Sequence, residues 1–168
     1  SPFLSPFFLI VLLFGALTGL KFQIILYIFL GLFGTFLAAR ELKAAPIPAS
    51  LAAVVFMLSS WFALRVRVGH TTFFPFALLP LTFYFYHKSL QKPRWLAAAA
   101  LTLAIMFLSG GIYPFYAALL LIVGYAFFES IGTRKLKPIL LAIAIFLLAF
   151  LLSAVKLIPM LELTSGVP

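Results

Sequence analysis

The chain has 168 residues, of which 65% are hydrophobic and 9% are charged, and its mean hydropathy is +1.25. Soluble domains contain roughly 45–50% apolar and about 25% charged residues, and a soluble fold of this length could not bury so much apolar surface. The composition therefore excludes a water-soluble protein. It predicts an all-α fold, a polytopic transmembrane helical bundle that forms one domain over residues 1–168.

The formal net charge of +9 could indicate a nucleic-acid partner. The twelve Lys and Arg residues are instead divided into small groups between apolar segments, which is typical of membrane topology. We therefore expect membrane lipids as partners and no nucleic acid. The chain has no Cys, which excludes disulfides and thiolate metal sites.

Apolar segments recur along the sequence, and a straight membrane crossing requires about 20 residues. We predict about seven membrane segments, some of them short or re-entrant. In chain order their approximate bounds are Phe7–Leu20, Phe22–Ala39, Ala49–Leu64, Thr71–Tyr86, Trp95–Ser109, Tyr113–Phe128 and Ile139–Ile158.

Breaks between the segments follow from single residues. Lys21 alone separates the first two segments, which predicts a tight helical hairpin there. The stretch 46–48 contains two prolines and cannot continue a helix, and Pro75 and Pro80 favour kinks in the fourth segment. Gly110 and Gly111 favour a turn between the fifth and sixth segments.

The basic residues fall into two sets when they are placed on this scheme. The larger set is Arg40, Lys43, Lys88, Lys92, Arg94, Arg134, Lys135 and Lys137. The smaller set is Lys21, Arg65, Arg67 and Lys156. The positive-inside rule assigns the larger set to the cytoplasm. The expected location is a multi-pass position in the plasma (inner) membrane if the source is bacterial or archaeal.

The most informative charges lie on the predicted non-cytoplasmic side. Arg65 and Arg67 contravene the positive-inside trend at close spacing, and His70 follows them. Guanidinium groups match phosphate geometry, so the three residues could hold a lipid phosphate or pyrophosphate. Alternatively, both arginines extend to ordinary lipid headgroups, and the sequence leaves the two interpretations open.

Two other places could contribute to the same outer cavity. The turn at Gly110 and Gly111, followed by Tyr113, allows close backbone approach to a ligand, although a tight interhelical turn explains it as well. Lys156 could neutralise an anionic headgroup while Glu162 faces water. Alternatively, Lys156 extends to the interface and Glu162 is a solvated tail residue.

Acidic residues are scarce, since the chain has no Asp and its acids are Glu41, Glu129 and Glu162. We expect Glu41 to pair with Arg40 or Lys43, and Glu129 with Arg134, or all of them to lie in solvated loops. A self-contained two-carboxylate site or an acidic metal cage cannot be built on the outer face, where Glu162 is the one acid expected. No catalytic residue, metal site or cofactor is therefore predicted, and a divalent metal would require acidic residues upstream of this sequence.

Several stretches together resemble the multi-pass membrane glycosyltransferases of the GT-C type. The stretches lie at residues 31–42, 52–60, 65–70, 79–81, 109–114 and 153–159. The resemblance implies a transferase that uses a polyprenyl-phosphate-linked sugar at the outer leaflet. That family carries its catalytic Asp or Glu in the first large outer loop, and no such loop occurs here. The chain is thus expected to be part of a longer protein and to be inactive alone.

Three functional hypotheses remain. The leading one is the membrane module of such a glycosyltransferase, with Arg65, Arg67, His70 and Lys156 binding the donor phosphate. In it the outer cavity is lined by Gly110, Gly111, Tyr113 and Glu162. The second is a non-enzymatic subunit of a larger membrane complex with neighbouring membrane subunits. The third is a lipid or solute transporter, which broken helices would suit.

Overall fold

A computed structural model describes residues 8–156 of the chain. This part is mostly helical and contains no strand, which confirms the all-α prediction. The α-helices are α1 Phe8–Phe14, α2 Ala16–Glu41, α3 Pro46–Met57, α4 Ser60–Val68, α5 Leu79–Gln91, α6 Leu96–Leu108, α7 Ile112–Thr133 and α8 Lys137–Leu152. A 3-10 helix at Thr71–Leu78 precedes α5, and a single 3-10 turn at Pro93–Trp95 precedes α6.

Three helical units of the described range are long and apolar enough to cross a membrane. They are α2, the unit Pro46–Val68 formed by α3 and α4, and α7. The units Pro93–Leu108 and Lys137–Leu152 are apolar but shorter. Large apolar side chains also cover much of the outer surface, as expected where lipid is the solvent. Crossings beyond these three remain a prediction.

The predicted break between the first two segments at Lys21 is wrong. Helix α1 ends at Phe14, and Gly15 makes the turn with φ of 79°, a conformation that residues with a side chain rarely adopt. Helix α2 then continues through Lys21, because Lys is a good helix former and a single exposed Lys does not end a helix. The hairpin is tight, since a Cβ on Gly19 would lie 2.5 Å from Cα of Val11.

The third and fourth predicted segments are each divided in two. The third breaks between α3 and α4, where the Ser59 hydroxyl donates a hydrogen bond to the Phe56 carbonyl at 3.0 Å and Ser59 is extended. Pro46 begins α3, because its missing N–H is not needed in a first turn. The fourth begins as the 3-10 helix around Pro75 and becomes α5.

The break at Gly110 and Gly111 is confirmed, since α6 ends at Leu108 and α7 begins at Ile112. The later helices form the centre of the bundle, where α5 packs against α2, α6, α7 and α8. Ala99 and Ala100 of α6 are fully buried, so their small side chains allow close helix packing.

The bundle has two ends with different charged residues. The end of α2 at Glu41 lies beside the last turn of α5 and the start of α8, and we call it the Glu41 end. The opposite end holds the last turn of α4 and the start of α7, and we call it the Arg65 end. The larger predicted set of basic residues lies at the Glu41 end and the smaller set at the Arg65 end.

A substitution in the α2–α5 contact tests the packing. In Gly34→Ala, the new Cβ would lie 2.9 Å from Cβ and 3.0 Å from the backbone N of Leu81, so the helices must separate. We expect a loss of about 1–3 kcal/mol, measured as thermal unfolding in detergent. Gly124→Ala is the control, because nothing lies within 4 Å of a Cβ there. Equal melting of both variants would contradict the described contact.

Single-cysteine labelling tests the two ends, because the natural chain has no Cys. We expect Lys92→Cys and Arg67→Cys, both at exposed positions, to react with a membrane-impermeant maleimide from opposite sides of sealed vesicles. Labelling of both residues from the same side would show that the Glu41 end and the Arg65 end do not lie on opposite sides of the membrane.

Candidate functional site

The site begins with the way α4 ends. Gly69 adopts φ of 74°, the left-handed conformation that terminates many helices, and its N–H donates to the Val66 carbonyl. The next N–H, that of His70, donates to the carbonyl of Arg65 at 3.0 Å. The chain therefore folds back, and Nη1 of Arg65 lies 3.3 Å from Nδ1 of His70.

Aromatic rings hold the Arg65 guanidinium in place. Its Cζ lies 4.3 Å from the ring centroid of Phe73 and 5.5 Å from that of Trp61, within the range of cation–π attraction. Phe73 in turn stacks on Tyr113 with centroids 5.4 Å apart and planes 3° apart. We call Trp61, Arg65, His70, Phe73 and Tyr113 the Arg65 cluster.

The positive charge of the Arg65 cluster has no acidic partner within residues 8–156. The acids of that range, Glu41 and Glu129, belong to the opposite end of the bundle. Nε of Arg65 is buried and has no hydrogen-bond partner there either. Buried donors are rarely left unpaired, so the guanidinium is suited to an anionic ligand.

An apolar cavity adjoins the Arg65 cluster at the bend between α3 and α4. Its volume is about 330 Å³, and its walls are mostly aromatic or aliphatic. They are formed by Phe56, Met57, Ser59, Trp61, Phe62, Phe76 and Ala77. Trp61 belongs to both the cavity and the cluster, so the cation and the apolar space are contiguous. The one sequence signal for this cavity is the Ser59–Ser60 pair, which interrupts the apolar segment.

Arg67 is not part of the Arg65 cluster. Residues two apart on a helix point in different directions, and Arg67 is exposed, with no hydrogen bond or ion pair to the rest of the described chain. The predicted pairing of two guanidinium groups on one ligand therefore reduces to Arg65 and His70.

Lys156 has a different environment from the predicted one. It is only 8% exposed, and Nζ donates to the carbonyl oxygens of Phe107 at 2.7 Å and Leu108 at 3.5 Å. These are the last carbonyls of α6, which lack partners within the helix and carry its negative dipole end. Lys156 thus caps α6, and its ammonium group does not join the Arg65 cluster.

The predicted cavity-lining residues differ in their surroundings. Gly110 and Gly111 form an interhelical turn, since a Cβ on Gly111 would lie 3.0 Å from Cβ of Pro75. They therefore pack against the 3-10 helix, whereas Tyr113 belongs to the Arg65 cluster. Glu162 lies outside the described residues.

Glu41 forms an ion pair, but with another partner than predicted. Its carboxylate lies 2.7 Å from Nζ of Lys88 and 3.4 Å from Nδ1 of His87, and it accepts a hydrogen bond from Gln91 at 2.9 Å. All three partners are on α5, because the last turn of α2 packs against that helix. Arg40 instead donates to the carbonyl of Ala44, so the expected local pair is wrong.

The expected pair of Glu129 and Arg134 is also missing from the described residues. Helix α7 ends at Thr133, and Arg134 adopts a left-handed φ of 52°. The chain therefore leaves the helix direction before Arg134, and the residue is not placed over the turn that carries Glu129.

Replacing Lys156 tests its role as a cap. We expect Lys156→Met to lower the melting temperature in detergent, because the carbonyls of Phe107 and Leu108 lose the charged donor that Nζ supplies, at a cost of about 1 kcal/mol or more. Lys21→Met is the control, since Lys21 is an exposed cation in the same predicted set. Melting of Lys156→Met at the wild-type temperature would contradict the capping role.

Comparison of this chain with known proteins does not assign the site to a family. Family models, curated proteins and solved structures give no match to this chain. Within residues 8–156 there is no group of three His, Cys, Asp or Glu residues that could hold a metal ion. The site is therefore described by its own chemistry: a cation held by aromatic rings at the mouth of an apolar cavity.

Proposed function

We propose that this chain is the membrane module of a GT-C type glycosyltransferase, which holds a polyprenyl-phosphate sugar donor at the non-cytoplasmic leaflet. One observation carries the proposal. The uncompensated guanidinium of Arg65 lies beside an apolar cavity of about 330 Å³, and the two share Trp61. A polyprenyl phosphate has two matching parts: an anionic phosphate for the guanidinium and, attached to it, a long apolar chain for the cavity.

The phosphate would bind to Arg65 and His70. A guanidinium presents five donors in a planar fork, and only part of this fork is used by His70 and the aromatic rings. Tyr113, exposed at the start of α7, offers a hydroxyl at the same end of the bundle. Water-excluding rings around the cation strengthen its attraction for an anion.

The isoprenoid chain would enter the cavity at the α3–α4 bend. Its volume is within the roughly 300–1,000 Å³ that ligand pockets occupy. Phe56, Phe62 and Phe76 provide an apolar wall. We infer that the cavity opens toward lipid, because Leu58 and Leu64, next to its lining residues in sequence, are exposed. A lipid-linked donor could therefore reach the site from within the bilayer, without passing through water.

The described residues would bind the donor and would not supply the acid–base chemistry. Neither Glu41 nor Glu129 lies at the Arg65 end. The carboxylate that deprotonates the acceptor must therefore come from outside residues 8–156. The proposed location is the plasma (inner) membrane of a bacterial or archaeal cell, with several crossings and the Arg65 end outward.

Binding of a short-chain polyprenyl phosphate to Arg65→Gln tests the proposal. We expect its affinity to fall about tenfold or more, because a charge-assisted hydrogen bond to phosphate is lost. The matched control is Arg67→Gln, which removes a guanidinium at the same end but outside the Arg65 cluster, and we expect it to bind within about twofold of wild type. Affinity can be measured with a fluorescent polyprenyl phosphate in detergent.

The uncharged polyprenol separates the two parts of the site. We expect it to bind Arg65→Gln and wild type equally, because it contacts only the cavity. Equal losses of polyprenyl phosphate binding in Arg65→Gln and Arg67→Gln would indicate attraction to surface charge in general, and would contradict the proposed site.

A further inference from the structure

A second cavity lies at the Glu41 end of the bundle, between the last turns of α5 and α7 and the start of α8. Its volume is about 170 Å³. The lining residues are mostly polar or charged: Leu90, Glu129, Thr133, Lys135, Lys137 and Pro138. We call it the Glu129 cavity. It is formed by other helix ends than the Arg65 cluster, and it has no part in the proposed donor site.

Opposite charges line the Glu129 cavity without pairing. The carboxylate of Glu129 forms no ion pair within residues 8–156, although two lysines share the cavity. Lys137 is held at the wall, because its Nζ donates to the carbonyl of Leu90 at 2.7 Å. Glu41, by contrast, is fully engaged by Lys88 and its neighbours. The cavity is thus lined by one acid and two basic residues that form no ion pair with one another within residues 8–156.

A ligand that carries both charges would satisfy this arrangement. We propose that the Glu129 cavity binds the headgroup of a phospholipid that has a primary ammonium and a phosphate, as phosphatidylethanolamine does. The ammonium would donate hydrogen bonds to Glu129, and the phosphate would accept them from Lys135 and Lys137. A half-buried carboxylate near a bilayer is costly without such a partner, and the ligand supplies one.

The surroundings of the cavity favour a lipid over a free zwitterion. Large apolar side chains next to the lining residues in sequence are exposed: Phe128 by 74%, Ile131 by 60% and Leu136 by 70%. Acyl chains of a lipid would cover these side chains while its headgroup occupies the cavity. A water-soluble zwitterion would leave them uncovered.

The ammonium must be primary for this fit. A primary ammonium has three N–H donors for the carboxylate, whereas a trimethylammonium has none and is wider. The 170 Å³ cavity and its single acid therefore select against phosphatidylcholine. This preference is the measurable consequence of the proposal.

Native mass spectrometry of the delipidated protein tests it, with phosphatidylethanolamine and phosphatidylcholine of identical acyl chains as probes. We expect wild type to retain the ethanolamine lipid about threefold to tenfold better, the range that a net hydrogen bond supplies, because both lipids carry the positive charge and only the ethanolamine has N–H donors. Glu129→Gln should bind both lipids equally. Lys135→Gln should weaken both, whereas Lys92→Gln, which removes an exposed Lys of the same end outside the cavity, should change neither.

Equal retention of the two lipids by wild type would overturn the proposal, as would a preference that survives in Glu129→Gln. A series on wild type alone avoids dependence on variants that fold poorly. Mono- and dimethylated phosphatidylethanolamine should bind progressively less well as N–H donors are removed. Retention that is independent of methylation would overturn the proposal.

Discussion

The structure depends on the close contact of α2 with α5 at Gly34 and Leu81. Because Gly34 has no side chain, the two backbones approach to a distance that a Cβ would not permit. Helix α5 is thereby fixed at the centre, where α6, α7 and α8 pack around it. The 3-10 helix is continuous with α5 and carries Phe73, so the same contact sets the position of the ring under Arg65.

The charged side chains at the two ends of the bundle are paired differently. At the Arg65 end one cation is held by aromatic rings and by His70, with no acid nearby in the described chain. At the Glu41 end one acid is fully paired with α5, while Glu129 is left without an ion pair beside two lysines. Each end therefore presents an unsatisfied charge of opposite sign, and both proposed ligands follow from these charges.

Composition and local signals predicted the helices but not their contacts. The turn at Gly110 and Gly111 follows from backbone freedom, which is a property of the residues themselves. The break at Gly15 was missed because a single charge, Lys21, was given more weight than a glycine. The role of Lys156 depends on the carbonyl of Phe107, 49 residues away, and no local pattern records such a contact. The apolar cavity likewise exists only once α3, α4 and the 3-10 helix are packed together.

The 3-10 form of Thr71–Leu78 makes this segment longer than an α-helix of the same number of residues. Eight residues span about 16 Å at the rise of a 3-10 helix and about 12 Å at that of an α-helix. The ring of Pro75 would clash with the carbonyl four residues earlier in an α-helix, which favours the longer 3-10 form. This added reach of about 4 Å brings Phe73 level with Arg65 and the start of α7. The proline therefore acts as a spacer that aligns three separate parts of the chain in one layer.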